Sequence, residues 1–261
     1  PVPIVWALSI AGAFIFGAAW AFIPAYLQAK RGSHIVITTI MFNFIASSLM
    51  VYLLVDVIRD MKQMGPHTVA LPKELWLPNF KDFAALFGIK IRYSPLNASF
   101  LLAIAASFFV WFLVWKTKWG YEMRAVGHNT QAAIYAGISP YKNIIIAMLI
   151  SGGLAGLLSI NEILGVHHKI VSGFPAGYGF TGIAVALMGR NHPIGIFPAA
   201  FLFGILYQGG SEVTFDMPNI TRYMFVAVQG VIILFSGALE NLFRPQIESF
   251  FVNRLNSKVR A

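Results

Sequence analysis

Gly120–Lys142 reads GYEMRAVGHNTQAAIYAGISPYK, and the rest of the chain is organised around this polar interruption. It stands between two uncharged apolar runs, Tyr93–Trp115 and Asn143–Asn161. Each run is close to the roughly 20 residues that a helix needs to cross a hydrocarbon core. A polar segment rich in Gly and Ala between two such runs is a loop at a membrane face. Its small side chains leave room for a partner to approach closely. The fold class that follows is all-α, a polytopic transmembrane helical bundle.

The pattern extends in both directions. Pro1–Ala29, Gly32–Val55, Ile170–Gly189, Asn191–Ser211 and Tyr223–Leu239 are also free of charge, which predicts six to seven spans in all. Gly and Pro interrupt the 170–211 region, so a broken or re-entrant helix is expected near 165–182. Such breaks persist at membrane depth only when buried in protein or lining a cavity. Composition agrees, at 57% hydrophobic and 11% charged residues, against roughly 25% charged in soluble domains. No basic segment precedes the apolar run that begins at Pro1, so it lacks the pattern of a signal peptide. The chain reads as a fragment of a single transmembrane domain (1–261) whose earlier spans are missing. With no cysteine, disulfides, thiolate nucleophiles and Cys-ligated metals are excluded.

The net charge of +9 is a topology signal. Placing Lys30–His34 inside gives inner segments carrying Lys30, Arg31, Lys116, Lys118, Arg124, Lys142 and Arg190, with few acids. The outer segments instead balance Arg59, Lys62 and Lys73 against Asp56, Asp60 and Glu74. That asymmetry is the positive-inside rule, and it removes the case for nucleic acid as a partner. It makes 56–93 an external loop, 116–142 a cytoplasmic loop and 241–261 a cytoplasmic tail. Prolines 66, 72 and 78 predict a cap of short pieces in the external loop. Trp111, Trp115, Trp119 and Tyr121 form an aromatic belt at the inner interface.

Span contacts are expected at small residues, because lipid tails are as apolar as Leu and close packing must hold helices together. Gly152 and Gly156 form a GxxxG, and Ala200 and Gly204 repeat the spacing. Gly177–Gly182 is a literal GxGxxG without the βαβ context of a nucleotide site, and reads as a Gly-rich break. Enzymatic constellations are thin. His167 and His168 near Glu162 do not have HExxH spacing, and no Walker lysine motif occurs. No cofactor is expected on this chain, and a membrane enzyme is disfavoured. Polar groups inside spans are the better clue, because they are costly in lipid unless paired or wet. Thr39 and Asn43, four apart on one helical face, and Asn161 and Glu162 are therefore the candidate lining of a substrate pathway, with Glu162 facing water or the interface. The competing role is interhelical hydrogen bonding.

Three blocks carry a family resemblance: YEMRAVGHNTQAAIYAGIS in the central loop, KRGSHIVITTIMFNFIA (Lys30–Ala46) and GFTGIAVALMGRNHPIG (Gly179–Gly195). They resemble the ABC importer permeases of the branched-chain amino acid, ribose and simple-sugar superfamily, in its nucleoside and simple-sugar branch. One departure is Ile35, where that branch often has an acid. The resemblance implies a transport subunit of the bacterial inner membrane that is not itself an ATPase. ATP would be used by separate ABC ATPase subunits, with a second permease subunit (identical or different) and an external substrate-binding protein completing the system. Arg124, Gly127, Asn129, Ala132, Ala133 and Gly137 match the ATPase-coupling segment. Ala132, Ala133 and Ala136 would supply a small helical surface, with Gly137 as its C-cap. A nucleoside or simple sugar is the implied solute. A branched-chain amino acid permease and an ATP-independent transporter or channel are the alternatives.

Overall fold

The computed structural model describes residues 2–61, 65–81, 96–174 and 177–216, with 224–225, 227–232 and 234–235. Most of the 221–240 span, residues 82–95 of the external loop and the whole tail 241–261 lie outside the described residues. The chain divides into two compact units, Pro1–Ala176 and Gly177–Ala261.

The charge-free runs become helices. In the first unit these are α1 (Val2–Arg31), α2 (Ile35–Tyr52, prolonged by a π-helical turn to Val57), α3 (Ser99–Lys116), α4 (Lys118–His128), α5 (Thr130–Tyr135) and α6 (Pro140–Gly156). A second π-helical turn, Ile160–His167, prolongs α6. The second unit holds α7 (Tyr178–Met188) and α8 (Pro193–Asp216). Five helical segments among the described residues are long and apolar enough to cross a membrane: Val2–Arg31, Ile35–Val57, Ser99–Lys116, Pro140–His167 and Pro193–Thr214. Tyr178–Met188 is apolar but shorter. The helical break expected near 165–182 is present. The π-turn ends on His168 in the left-handed region, at φ 54°, and α7 starts from Gly177 at φ 79°.

The dominant helix pair is α1 on α6, and glycine makes it possible. A Cβ on Gly17 would run into the Gly152 carbonyl, and one on Gly156 into the Ala13 carbonyl. Gly153 lies under the Phe14 ring, which a side chain there would strike. Backbones therefore touch along this seam, as expected where close packing replaces a hydrophobic driving force. At Ala200 and Gly204 no matching seam is seen among the described residues: Ala200 is exposed, and no described atom lies within 4 Å of a Cβ added at Gly204. In that unit the close approach is instead at Gly189 and Gly195, where α7 turns into α8 through left-handed Arg190 and Asn191.

The far end of α6 carries a strap. Residues 65–80 cross it in short pieces, with a single 3-10 turn at Lys73–Leu75. Backbone bonds from Leu71 to His168 (2.8 Å) and from Leu77 to Leu164 (3.0 Å) hold the strap down. Trp6 Nε1 donates to the Leu75 carbonyl at 2.9 Å, which ties the start of α1 to it. Leu77, Ile160 and Leu164 form the buried core beneath, packed by Trp6, Ile10 and Leu102.

Candidate functional site

Two ends of the first unit hold the candidate residues. At the end that the charge bias puts inside, α3 stops at Thr117, whose hydroxyl donates to the Leu113 carbonyl (2.6 Å) and accepts from the Gly120 N–H (3.2 Å). That N-cap turns the chain sharply into α4. A Cβ on Gly120 would collide with the Leu113 and Val114 carbonyls, so the turn requires glycine. Further along α4, Glu122 lies 3.8 Å from Lys118 and accepts a 3.5 Å bond from Asn143 Nδ2. Asn143 is only 4% exposed and also donates to the Ser139 carbonyl at 3.0 Å. Thus α4 is fixed to both α3 and α6. Glu122 and Asn143 were not legible as partners, since only tertiary packing brings them together.

The next element, α5, is closed at both ends by its own residues. Asn129 Oδ1 accepts from the Ala132 N–H at 3.0 Å, an N-cap. Gly137, at φ 76°, donates its N–H to Ile134, and Ile138 bonds back to Ala133, so the helix ends in a left-handed C-cap. Pro140 then opens α6, where a missing N–H is harmless. Arg124, Gly127, Asn129, Ala132 and Gly137 are all exposed on this segment. Ala133 is not: it is 3% exposed and packs inward. The expected three-alanine surface is therefore corrected: only Ala132 and Ala136 are exposed, and Ala133 is buried within this protein. Between them projects Tyr135, 92% exposed, beside the half-exposed Ile134. The sequence reading passed over Tyr135, although an aromatic flanked by small residues at a loop apex was the available sign.

At the opposite end, a hydrogen-bonded network joins α3 to α6. Asn161 Oδ1 accepts from Asn97 Nδ2 (3.2 Å) and from the Ser99 hydroxyl (2.7 Å). Asn161 Nδ2 donates to Glu162 Oε1 at 2.9 Å, and His167 Nε2 stands 3.5 Å from Glu162 Oε2. Gly165 makes room for the Asn97 amide, which a Cβ there would strike. Glu162 is 6% exposed, so the expectation that it faces water is corrected: it is buried and hydrogen-bonded inside the protein. The π-helical turn brings Glu162 and His167 into this cluster, five residues apart along it. Next to them, His168 stacks flat on Trp76, with centroids 3.6 Å apart and planes 5° from parallel. Its Nδ1 is buried without a hydrogen-bond partner among the described residues. Burial pushes this imidazole below its ordinary value, with His167 acting in the same direction and the nearby Leu164 backbone opposing.

The four pathway candidates do not form one cluster. Asn161 and Glu162 close the end of α6, whereas Thr39 and Asn43 stand on α2. Thr39 turns its hydroxyl back to the Ile35 carbonyl at 2.9 Å; Asn43 is exposed. A pocket of about 300 Å³ between α1 and α2 is lined by Trp20, Leu49, Met50, Leu53 and other apolar residues. It offers a polar solute nothing to bond.

With this geometry in place, the chain's relatives become informative. The chain belongs to the family of branched-chain amino acid transport system permease components, whose profile matches residues 2–237. It is 36% identical over 231 residues to the guanosine ABC transporter permease protein NupP of Bacillus subtilis, covering 87% of this chain and 63% of that protein. It is 32% identical over 251 residues to the glucose ABC transporter permease protein TsgB13 of Haloferax volcanii, covering 95% and 65%. The nucleoside ABC transporter permease protein NupB of Lactococcus lactis is 35% identical over 228 residues, covering 82% and 59%. The chain thus spans a little under two thirds of the length of the relatives it matches. No solved structure matches it.

Proposed function

We propose that this chain is the membrane-spanning permease part of an ABC importer that moves a nucleoside or simple sugar across the bacterial inner membrane. In this reading α5 is the element on which a separate ATPase subunit docks. A second permease subunit and an external binding protein complete the assembly, and ATP is consumed by the ATPase alone. The solute class rests on relatives named for guanosine, nucleoside and glucose transport. The observation that carries the reading is the exposed knob of Ile134 and Tyr135 on a short helix capped by its own residues. A helix that needs no partner for its own backbone can offer an aromatic side chain to a groove, and buried aromatic anchors dominate such interfaces. Force applied there has a route inward. Ala133 seats α5, and the Glu122–Asn143 contact links α4 to α6.

The test is uptake of labelled guanosine, glucose and leucine by the full-length complex in proteoliposomes, with and without ATP. ATP-dependent uptake of a nucleoside or sugar is expected, falling about tenfold or more in Tyr135→Ala through weaker ATPase docking. Tyr135 is the residue to change, because an acid at the buried Ala133 would disturb the fold itself. Uptake indifferent to ATP and to Tyr135→Ala would replace this reading with an ATP-independent transporter or channel. Preference for leucine would move the solute class.

A further inference from the structure

We infer that the solute path runs along one row of α2, formed by Thr39, Asn43 and Ser47, and that Ser47 is a solute-contacting residue. The inference rests on the transport reading above and names the wall that reading leaves open. Residues four apart advance only about 40° around a helix, so these three form a continuous polar row. Asn43 and Ser47 are exposed, and no side-chain hydrogen bond joins either of them to another described residue. Asn43 lies eight residues beyond Ile35, about 12 Å along the axis and so well inside the span Ile35–Val57.

The side of α2 next to the row faces α1. Phe42 meets Trp20 of α1 edge-on at 5.9 Å, and Ala46, Leu49, Met50 and Leu53 line the apolar pocket, which the row meets beyond Ser47. Met41 and Ile45, also exposed, lie on roughly the opposite side from the polar row. Thr39 quiets its hydroxyl on its own helix, and a serine can do the same. The asparagine amide, with two donors and a carbonyl, cannot meet its needs in that way. Hydrocarbon gives it nothing, and an unpaired amide there is costly. The other polar candidates already have partners, since Asn161 bonds Asn97, Ser99 and Glu162, and His167 stands beside Glu162. The surface that suits the α2 row is water carrying a neutral solute with several hydroxyl or amide groups, which exchanges its hydration for these side chains.

The chain has no cysteine, which makes the experiment clean. Single Asn43→Cys, Ser47→Cys, Met41→Cys and Ile45→Cys variants are made in the full-length complex, with any cysteine elsewhere in it replaced. Each is treated in proteoliposomes with a water-soluble thiosulfonate. Thiols react as thiolates, which form in water and not in lipid, so positions 43 and 47 should label about tenfold faster than 41 and 45. Saturating nucleoside or sugar should slow labelling at 43 and 47 alone, and the modification should block ATP-driven uptake. Labelling at 43 and 47 no faster than at 41 and 45, with ATP-driven uptake intact, overturns the inference: another helix or the second permease subunit then covers the row. Fast labelling that the solute does not slow also overturns it, since the row then faces water off the path. Uptake that proceeds without ATP is a failure of the transport reading instead, and labelling and protection still decide the row.

Discussion

Asparagine does two different jobs at the two ends of the first unit. Asn129 uses its carbonyl oxygen three residues away, on the Ala132 N–H, and stays exposed. Asn161 uses the same atom more than sixty residues away, on Asn97 and Ser99, at the edge of a buried cluster. The first bond closes the start of a short helix locally and leaves Ile134 and Tyr135 exposed. The second joins two helices, and each of its members depends on the others for satisfaction. Networks of this kind hold elements in one arrangement, because a half-satisfied member is worse than an apolar one. One end therefore leaves exposed side chains on a locally capped helix, and the other ties two helices together.

The largest effect should come from breaking the long-range member. Asn161→Leu strips the Asn97 amide and the Ser99 hydroxyl of their acceptor and Glu162 of a donor. Stranding those groups should destabilise the unit by about 2–3 kcal/mol, read as a lower unfolding midpoint of the protein in detergent. A loss below about 0.5 kcal/mol, the range of an ordinary surface change, would mean that the network does not clamp α3 to α6. Asn129→Ala tests the local member. It should cost about 1 kcal/mol, as for other N-caps, with faster hydrogen exchange confined to the amides of α5. If it destabilised the protein as much as Asn161→Leu, the Asn129 cap would be part of the folded core and not a local device of α5.

Much of this architecture was legible in the sequence because the membrane imposes simple rules. Charge-free runs became the helices, and Gly152 and Gly156 became a backbone seam with α1. The same small-residue spacing at Ala200 and Gly204 meets no neighbour among the described residues, because spacing identifies a close-packing face but not what occupies it. Ala132 and Ala133 look equivalent in sequence, yet adjacent helical residues point about 100° apart, and only one of them packs inward. Glu162 looked like a water-facing acid because Asn97, Ser99 and His167, which satisfy or face its cluster, come together only through the π-helical turn and the close approach at Gly165. Contacts between residues far apart in the chain leave no local periodicity to read.

The smallest effect expected is a pH dependence of the strap. His168 sits below its ordinary value of 6.5 because burial disfavours its charged form. Unfolding the strap restores the ordinary value, so below about 6.5 the open form binds the proton more readily. The His168 contribution is thus full above that pH and declines as pH falls through the lowered, folded value. Nicking of residues 65–80 by an added protease, corrected for the enzyme's own pH profile, should increase from pH 7.5 to pH 5. His168→Phe keeps a ring against Trp76 and removes both the titration and the unpaired Nδ1, so its nicking should be flat. A wild-type protein whose nicking stays flat or falls in acid would show that burial of the neutral His168 ring does not hold the strap. A slope that survives unchanged in His168→Phe would show that the stack of His168 on Trp76 is not its source.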